Sequence, residues 1–380
     1  MAKIARVPIT NIYAGGDYTG RILVGAKQQP MNVLLDTGSS ALALDDRKYK
    51  PNLAGGDKTT DLAQTDSYGD GSSWTGAVIT TELTVGDGAS AVQLPAGNAA
   101  IAYTDSQDMF GETDGILGLA YAPLDDAYIM PSDTWAHQYT ATQVRGGKAS
   151  TIKPYLTQLA DAGMVSDRIS FLTRRSFIHV GGGNPANDPL NQGWMIVGGG
   201  EEATDLYTGA FQTVKVLADD WYNTNLKAVI VGNSDPIAAR LHGPKGMPSN
   251  SIVDSGTNSL NLSPQILKAL ISRFTPAQQA QLNQSINEQQ LISVADLNLA
   301  SWPTLTFILQ GDTADVSLKV APGDYWQVNT QRVGAAMSAI TKGDPGLVIL
   351  GLPLMNGYFT IFDGEADNGR GVIKFATKKV

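Results

Sequence analysis

Two stretches of this chain hold residues that could do chemistry together. In MNVLLDTGSSALAL (31–44) a mostly apolar run breaks into Asp36-Thr37-Gly38-Ser39-Ser40, and in SIVDSGTN (251–258) another breaks into Asp254-Ser255-Gly256-Thr257-Asn258. Each delivers a carboxylate from an apolar strand into a tight polar turn. One such Asp reads as an ordinary turn former that bonds its own backbone, because burying an unpaired carboxylate is costly. Two of them, in the same order and 218 residues apart, read as the matching halves of a duplicated molecule. Carboxylates within hydrogen-bonding reach cannot both ionise cheaply, so a pair holds one proton. Its charged member can take a proton from a water held between them while the other donates to a carbonyl, giving general base and general acid together. The two groups titrate as a unit, so the sequence assigns the proton to neither.

The elements that must position the carboxylates are duplicated as well. Each half carries a later apolar strand ending in glycine, Gly115-Ile116-Leu117-Gly118 in the first and Val348-Ile349-Leu350-Gly351 in the second. Competing chemistries find little support. His137, His179 and His242 lie in no metal-ligand spacing, and there is neither an HExxH motif nor a Gly-x-Ser-x-Gly elbow. The glycine runs at 181–183 and 198–200 lack a following Lys-Ser/Thr and read as turns rather than phosphate loops. Neither a metal nor another cofactor is expected.

At 380 residues the chain exceeds what a single core usually supports, which fits two lobes of similar size. Its 41 Gly and 18 Pro favour strands and turns over a helical bundle. A net charge of −9, without a Lys/Arg cluster, argues against nucleic acid as a partner. There are no cysteines, so no disulfides, which is compatible with a reducing compartment. No stretch approaches the roughly 20 apolar residues of a membrane span, and the N-terminus has no signal-peptide core. If Met1 is the native start, a cytoplasmic location is expected; otherwise the protein is secreted or periplasmic.

Along the chain, Thr151 to Ala162 reads as a short amphipathic helix with Thr151 as cap and Gly163 as stop, and Ser263-Pro264 opens another. Tyr121 to Ser150, rich in Asp, Gly and Ala, reads as a long surface excursion. The irregular stretch from Gly181 to Gln192 is the expected boundary, dividing the chain into lobes at 1–180 and 194–380 with a connection at 181–193. Between the first Asp turn and Ile116, the segment Asp66-Ser67-Tyr68-Gly69-Asp70-Gly71-Ser72 reads as a β-hairpin tip.

The two Asp turns, the two hydrophobic-hydrophobic-Gly strands and the hairpin between them resemble the pepsin family of aspartic proteases, over both lobes from about Arg6 to the end. The absence of cysteines and of a pro-segment is similar to a bacterial-type homologue. This resemblance implies a mostly β, bilobed acid-protease fold with Asp36 and Asp254 at the lobe junction. It implies that Gly38 and Gly256 let the backbone approach the carboxylates, that Ser39 and Thr257 bond their outer oxygens, and that Thr37 and Ser255 bond across the junction. Tyr68, Gly69 and Asp70 match the flap that closes over the substrate. A Trp that bonds the flap Tyr in the family is replaced by Ala43, and Trp74, within the flap, is the residue that can compensate. Asn258 stands where Ser or Thr is more usual. The implied activity is a monomeric endopeptidase that cleaves polypeptides between large hydrophobic residues and binds statine-type inhibitors. Sharing one proton implies a bell-shaped pH profile with a mildly acidic optimum, roughly pH 3.5 to 5. The alternative is a catalytically weak or inactive peptide-binding protein on the same fold.

Overall fold

The computed structural model describes residues 2–239, 243, 247 and 249–379; His242 lies outside them. Strands dominate, as the turn-rich composition predicts. The first half supplies β1 (Ala5–Ala14), β2 (Asp17–Val24), β3 (Gln29–Asp36), β4 (Leu42–Asp45), β5 (Lys58–Ser67), β6 (Ser73–Val85), β7 (Val92–Asp105), β8 (Gly115–Gly118), β9 (Asp126–Ile129), β10 (Lys148–Thr151) and β11 (Arg168–Leu172). β12 (Gln192–Val197) and β13 (Tyr207–Lys215) follow.

These strands, with Tyr358–Asp363 and Val372–Lys378 from the C-terminus, form one 15-stranded sheet running from β10 at one end to β13 at the other. The two halves meet inside it. β1 pairs with β12, and β11 pairs on its far side with Tyr358–Asp363, so neither half completes the sheet alone.

The sequence duplication reappears as topology. β3, which ends in Asp36, runs parallel to β8, while β4 is antiparallel to β8 and parallel to β7. In the second half Ser251–Val253, which ends just before Asp254, runs parallel to Val348–Leu350; Leu260–Leu262 is antiparallel to that strand and parallel to Ile340–Lys342. Asp36 therefore leaves the end of a strand whose Met31, Val33 and Leu35 are buried, and Asp254 follows the wholly buried Ser251–Val253, which is why both stretches read as mostly apolar. The architecture is the bilobed, mostly β arrangement expected.

Two local expectations change. The helix placed at 151–162 begins at Tyr155, because Pro154 disfavours helical geometry at Lys153 and Thr151 is held in β10 opposite Asp126. Tyr155, Leu156 and Leu159 still form its buried side. The segment 121–150 is not a simple excursion: it contains β9, β10 and two short helices, Thr134–His137 and Ala141–Arg145, the second closed by a Thr140/Gln143 capping box. Met130 and Val144 pack against Ala63 there. The helix after Ser263 runs from Pro264 to Ile271 with Ser263 as its cap.

Candidate active site

The two Asp turns face each other at the junction of the halves. The Gly38 N–H donates to Asp36 Oδ1 at 2.7 Å and the Ser39 hydroxyl donates to Asp36 Oδ2. In the same way the Gly256 N–H donates to Asp254 Oδ1 at 2.9 Å and the Thr257 hydroxyl to Asp254 Oδ2 at 2.6 Å. Each carboxylate is thus held by its own loop. The glycines are required by what lies opposite: a Cβ on Gly38 would sit 2.8 Å from both oxygens of Asp254, and one on Gly256 would fall inside contact with Asp36 Oδ1. Gly118 and Gly351 likewise carry backbone against Ser40 and Thr257, leaving no room for a side chain.

Between the carboxylates and the core, Thr37 and Ser255 tie the halves together. The Thr37 N–H donates to Ser255 Oγ at 3.1 Å, and the Ser255 N–H donates to Thr37 Oγ1 at 2.8 Å. The Ser255 hydroxyl in turn donates to the Leu35 carbonyl at 2.8 Å, and that of Thr37 to the Val253 carbonyl at 3.3 Å. Every hydroxyl of this lattice is buried and satisfied, so the loops are fixed to each other and not only to their own strands.

Asp36 and Asp254 are 5% and 7% exposed, buried but for a small open surface. Burial, then the neighbouring Asp254 carboxylate, hold the Asp36 carboxyl well above the usual range, against the opposing bonds from Ser39 and Gly38. A proton is therefore retained by the pair at pH values where an isolated aspartic acid would have lost it.

The predicted hairpin tip joins β5 to β6 and spans Tyr68 to Ser72. Gly71 turns it at φ +87°, and Asp70 Oδ1 accepts from both the N–H and the hydroxyl of Ser72, at 2.8 and 2.7 Å. Gly69 and Asp70 are exposed at the tip, while the Tyr68 ring turns inward. Trp74 fills the space that Ala43 leaves: it is 1% exposed, packs with Ala43, Ala100 and Ile116, and its Nε1 donates to the Tyr68 hydroxyl at 3.1 Å. Burial, then the charges of Asp66 and Asp36, push the Tyr68 phenol well up, so it stays a proton donor.

Sequence reasoning passed over two residues here. Trp221, from the second half, donates from Nε1 to the Gly38 carbonyl at 2.8 Å and so braces the opposite Asp turn. Asp17 starts β2 beside the end of β3; nothing in its neighbours marks it, and only the strand register does. His137 and His179 stay apart from the site, His179 being paired with Asp188 at 2.6 Å. Among the described residues no cluster of His, Cys, Asp and Glu could hold a metal, and no helix is long and apolar enough to cross a membrane.

A cavity of about 230 Å³ opens beside the β5–β6 hairpin, lined by Thr65, Asp66, Trp74, Leu124, Asp126 and Arg145 among others. A larger surface groove, about 600 Å³, lies between Lys3, Gly88 and Met164 and includes none of the residues above.

Comparison with known proteins gives a consistent result. The sequence model of the eukaryotic aspartyl proteases matches residues 17–139 and 186–377. The chain is 24% identical to gastricsin of Cavia porcellus over 367 residues, 92% of this chain and 78% of that protein. It is 25% identical to gastricsin of Mus musculus, over 92% and 79% of the two chains, and 24% identical to rhizopuspepsin-2 of Rhizopus niveus, over 94% and 79%.

Proposed function

The chain belongs to the eukaryotic aspartyl protease family, the pepsin type, and is an aspartic endopeptidase; from that premise we propose that Asp36 and Asp254 are its catalytic pair. The observation that carries the assignment is the reciprocal packing of the two loops, in which each Asp is bonded by its own Gly and hydroxyl and contacted by the glycine of the other half.

In this reading a water between the carboxylates loses a proton to the ionised member as it attacks the peptide carbonyl. The protonated member donates to the carbonyl oxygen, yielding a neutral tetrahedral diol, and collapse returns a proton to the leaving amine. No covalent intermediate forms. Tyr68, Gly69 and Asp70 close over the bound peptide, with Tyr68 held in place by Trp74. The lobes at 1–180 and 194–380, joined by 181–193, would form the two walls of the cleft.

The preferred substrate carries large apolar side chains at the cut. Support comes from half-buried Leu34, Tyr68 and Met109, which edge the Trp74 cluster beside Asp36. The enzyme would act as a monomer, at mildly acidic pH, and would bind statine-type inhibitors that mimic the tetrahedral intermediate. Cleavage of a fluorogenic peptide with Phe or Leu flanking the bond, by wild type and Asp36→Asn, tests the proposal. Near-normal activity in the variant would sink it, as would loss of wild-type activity in EDTA.

A further inference from the structure

Beside the catalytic pair the structure holds a third carboxylate that the mechanism above does not use. β2 begins at Asp17 and β3 ends at Asp36, and these strands are antiparallel neighbours in a register that runs from Val24 opposite Gln29 to Thr19 opposite Leu34. Two residues further on, the same register sets Asp17 opposite Asp36. Directly opposed residues project from the same face of a sheet, so both carboxylates point to one side of the ladder end. Asp17 Oδ1 is buried and has no hydrogen-bond partner among the described residues.

What surrounds Asp17 is acidic or neutral. Burial, then Asp254, then Asp36, raise its carboxyl well above the usual range. From β1 it meets Ala14 and Gly15, which carry no charge. The segment packed on Gly16 is Ser176-Phe177, preceded by Arg174 and Arg175, neither of which forms an ion pair with Asp17. The backbone N–H groups of Arg174 and Arg175 donate to the Tyr18 hydroxyl, and the Arg175 guanidinium donates to the Phe177 and Val328 carbonyls. Among the described residues a structural ion pair therefore does not explain why a carboxylate stands here.

We propose that Asp17 is a positioning residue for the shared proton: once ionised, its charge keeps the last proton on the Asp36–Asp254 pair to higher pH and extends the active range towards neutrality. This rests on the catalytic reading of the pair given above. The sign follows from like charges, since a nearby carboxylate disfavours the doubly ionised pair and raises the pH at which its remaining proton leaves. Where Asp17 is protonated it carries no charge, so at the acid end it leaves the loss of the pair's first proton unaffected.

The test is the pH dependence of kcat/KM on the fluorogenic peptide for wild type, Asp17→Asn, Asp17→Glu and Asp36→Asn. Asp17→Asn is expected to remain an active protease whose basic limb lies about half to one pH unit lower, with the acid limb in place. Asp17→Glu, which restores the charge, should return the basic limb towards wild type. An unmoved basic limb in Asp17→Asn overturns the proposal, and so does a raised KM with both limbs unmoved, which would make Asp17 a substrate contact. If Asp17→Asn does not fold, Asp17→Ser is read by the same criteria. Asp36→Asn separates the two claims: inactivity there leaves the catalytic pair standing whatever Asp17 does, and activity there removes both.

Discussion

The indole of Trp74 holds the hydroxyl of Tyr68 from within the same hairpin, one residue into the strand that follows the tip. The brace comes from the hairpin's own strand, and that strand seats Trp74 on Ala43, Ala100 and Ile116 beneath the tip. Trp74→Phe keeps most of the packing on Ala43 and removes only the donor. We expect kcat/KM to fall about 10-fold, the equivalent of one hydrogen bond of 1–1.5 kcal/mol. An unchanged kcat/KM would show that the contact does not position Tyr68.

Asp254→Asn should lower kcat by at least about 1000-fold while the fold survives, because the amide cannot share the proton or act as base. Gly256→Ala should do comparable damage by a different route, since its methyl group collides with Asp36. Circular dichroism and single-turnover assays on both variants check this. A well-folded, active Gly256→Ala would contradict the close approach of the two turns.

Thr37→Val is nearly isosteric and strips a hydroxyl that accepts the Ser255 N–H and donates to the Val253 carbonyl. Two buried backbone groups of the second half lose their partner, so destabilisation of about 2–4 kcal/mol is expected in urea unfolding. Activity should fall as well, because the loops lose a tie that crosses between the halves. A loss under about 0.5 kcal/mol would mean that the cross-junction bonds contribute little.

Burial pushes Asp125 up to about 7, despite a 2.6 Å bond from Gln64 and with Asp66 and Asp126 adding to the rise. A carboxyl whose folded pKa exceeds its unfolded one contributes its full share of stability below the unfolded value. That share is lost as pH climbs through the folded one. Wild type should therefore weaken between about pH 4 and pH 7 on this account, by up to about 4 kcal/mol. Asp125→Asn retains the oxygen that Gln64 bonds and cannot ionise; it should match wild type near pH 4 and exceed it at pH 8. Thermal unfolding at the two pH values decides, and parallel curves would refute the assignment.

The two Asp turns are legible because duplication turns an ambiguous Asp-Thr-Gly into a pair, and because the largely buried strands before them leave a mostly apolar signature. The flap was legible from turn chemistry, and Trp74 from the gap at Ala43. Asp17 was not, since a carboxylate at a strand start has no local signal and gains meaning only opposite Asp36. The strands within 121–150 escape the sequence for a related reason. β9 and β10 are four residues each, too short for periodicity; β9 pairs with β5 by tertiary contact and β10 pairs with β9. Thr151 has the residue type of a helix cap, but Pro154 restricts Lys153, so the helix starts only at Tyr155.

The long sheet has two ends, and their composition bears on how the protein behaves when concentrated. An unpaired strand edge is a template for another molecule, most of all when acid removes the carboxylate charges that keep molecules apart. At one end β10 is only four residues, mostly exposed and led by Lys148. At the other, β13 is broken by a register shift between Thr208 and Gln212, with Gly209 at φ +79°, and it closes on Lys215. Both ends keep a positive charge at low pH and neither offers a long flat edge. The long sheet should thus resist edge-to-edge fibril growth in acid.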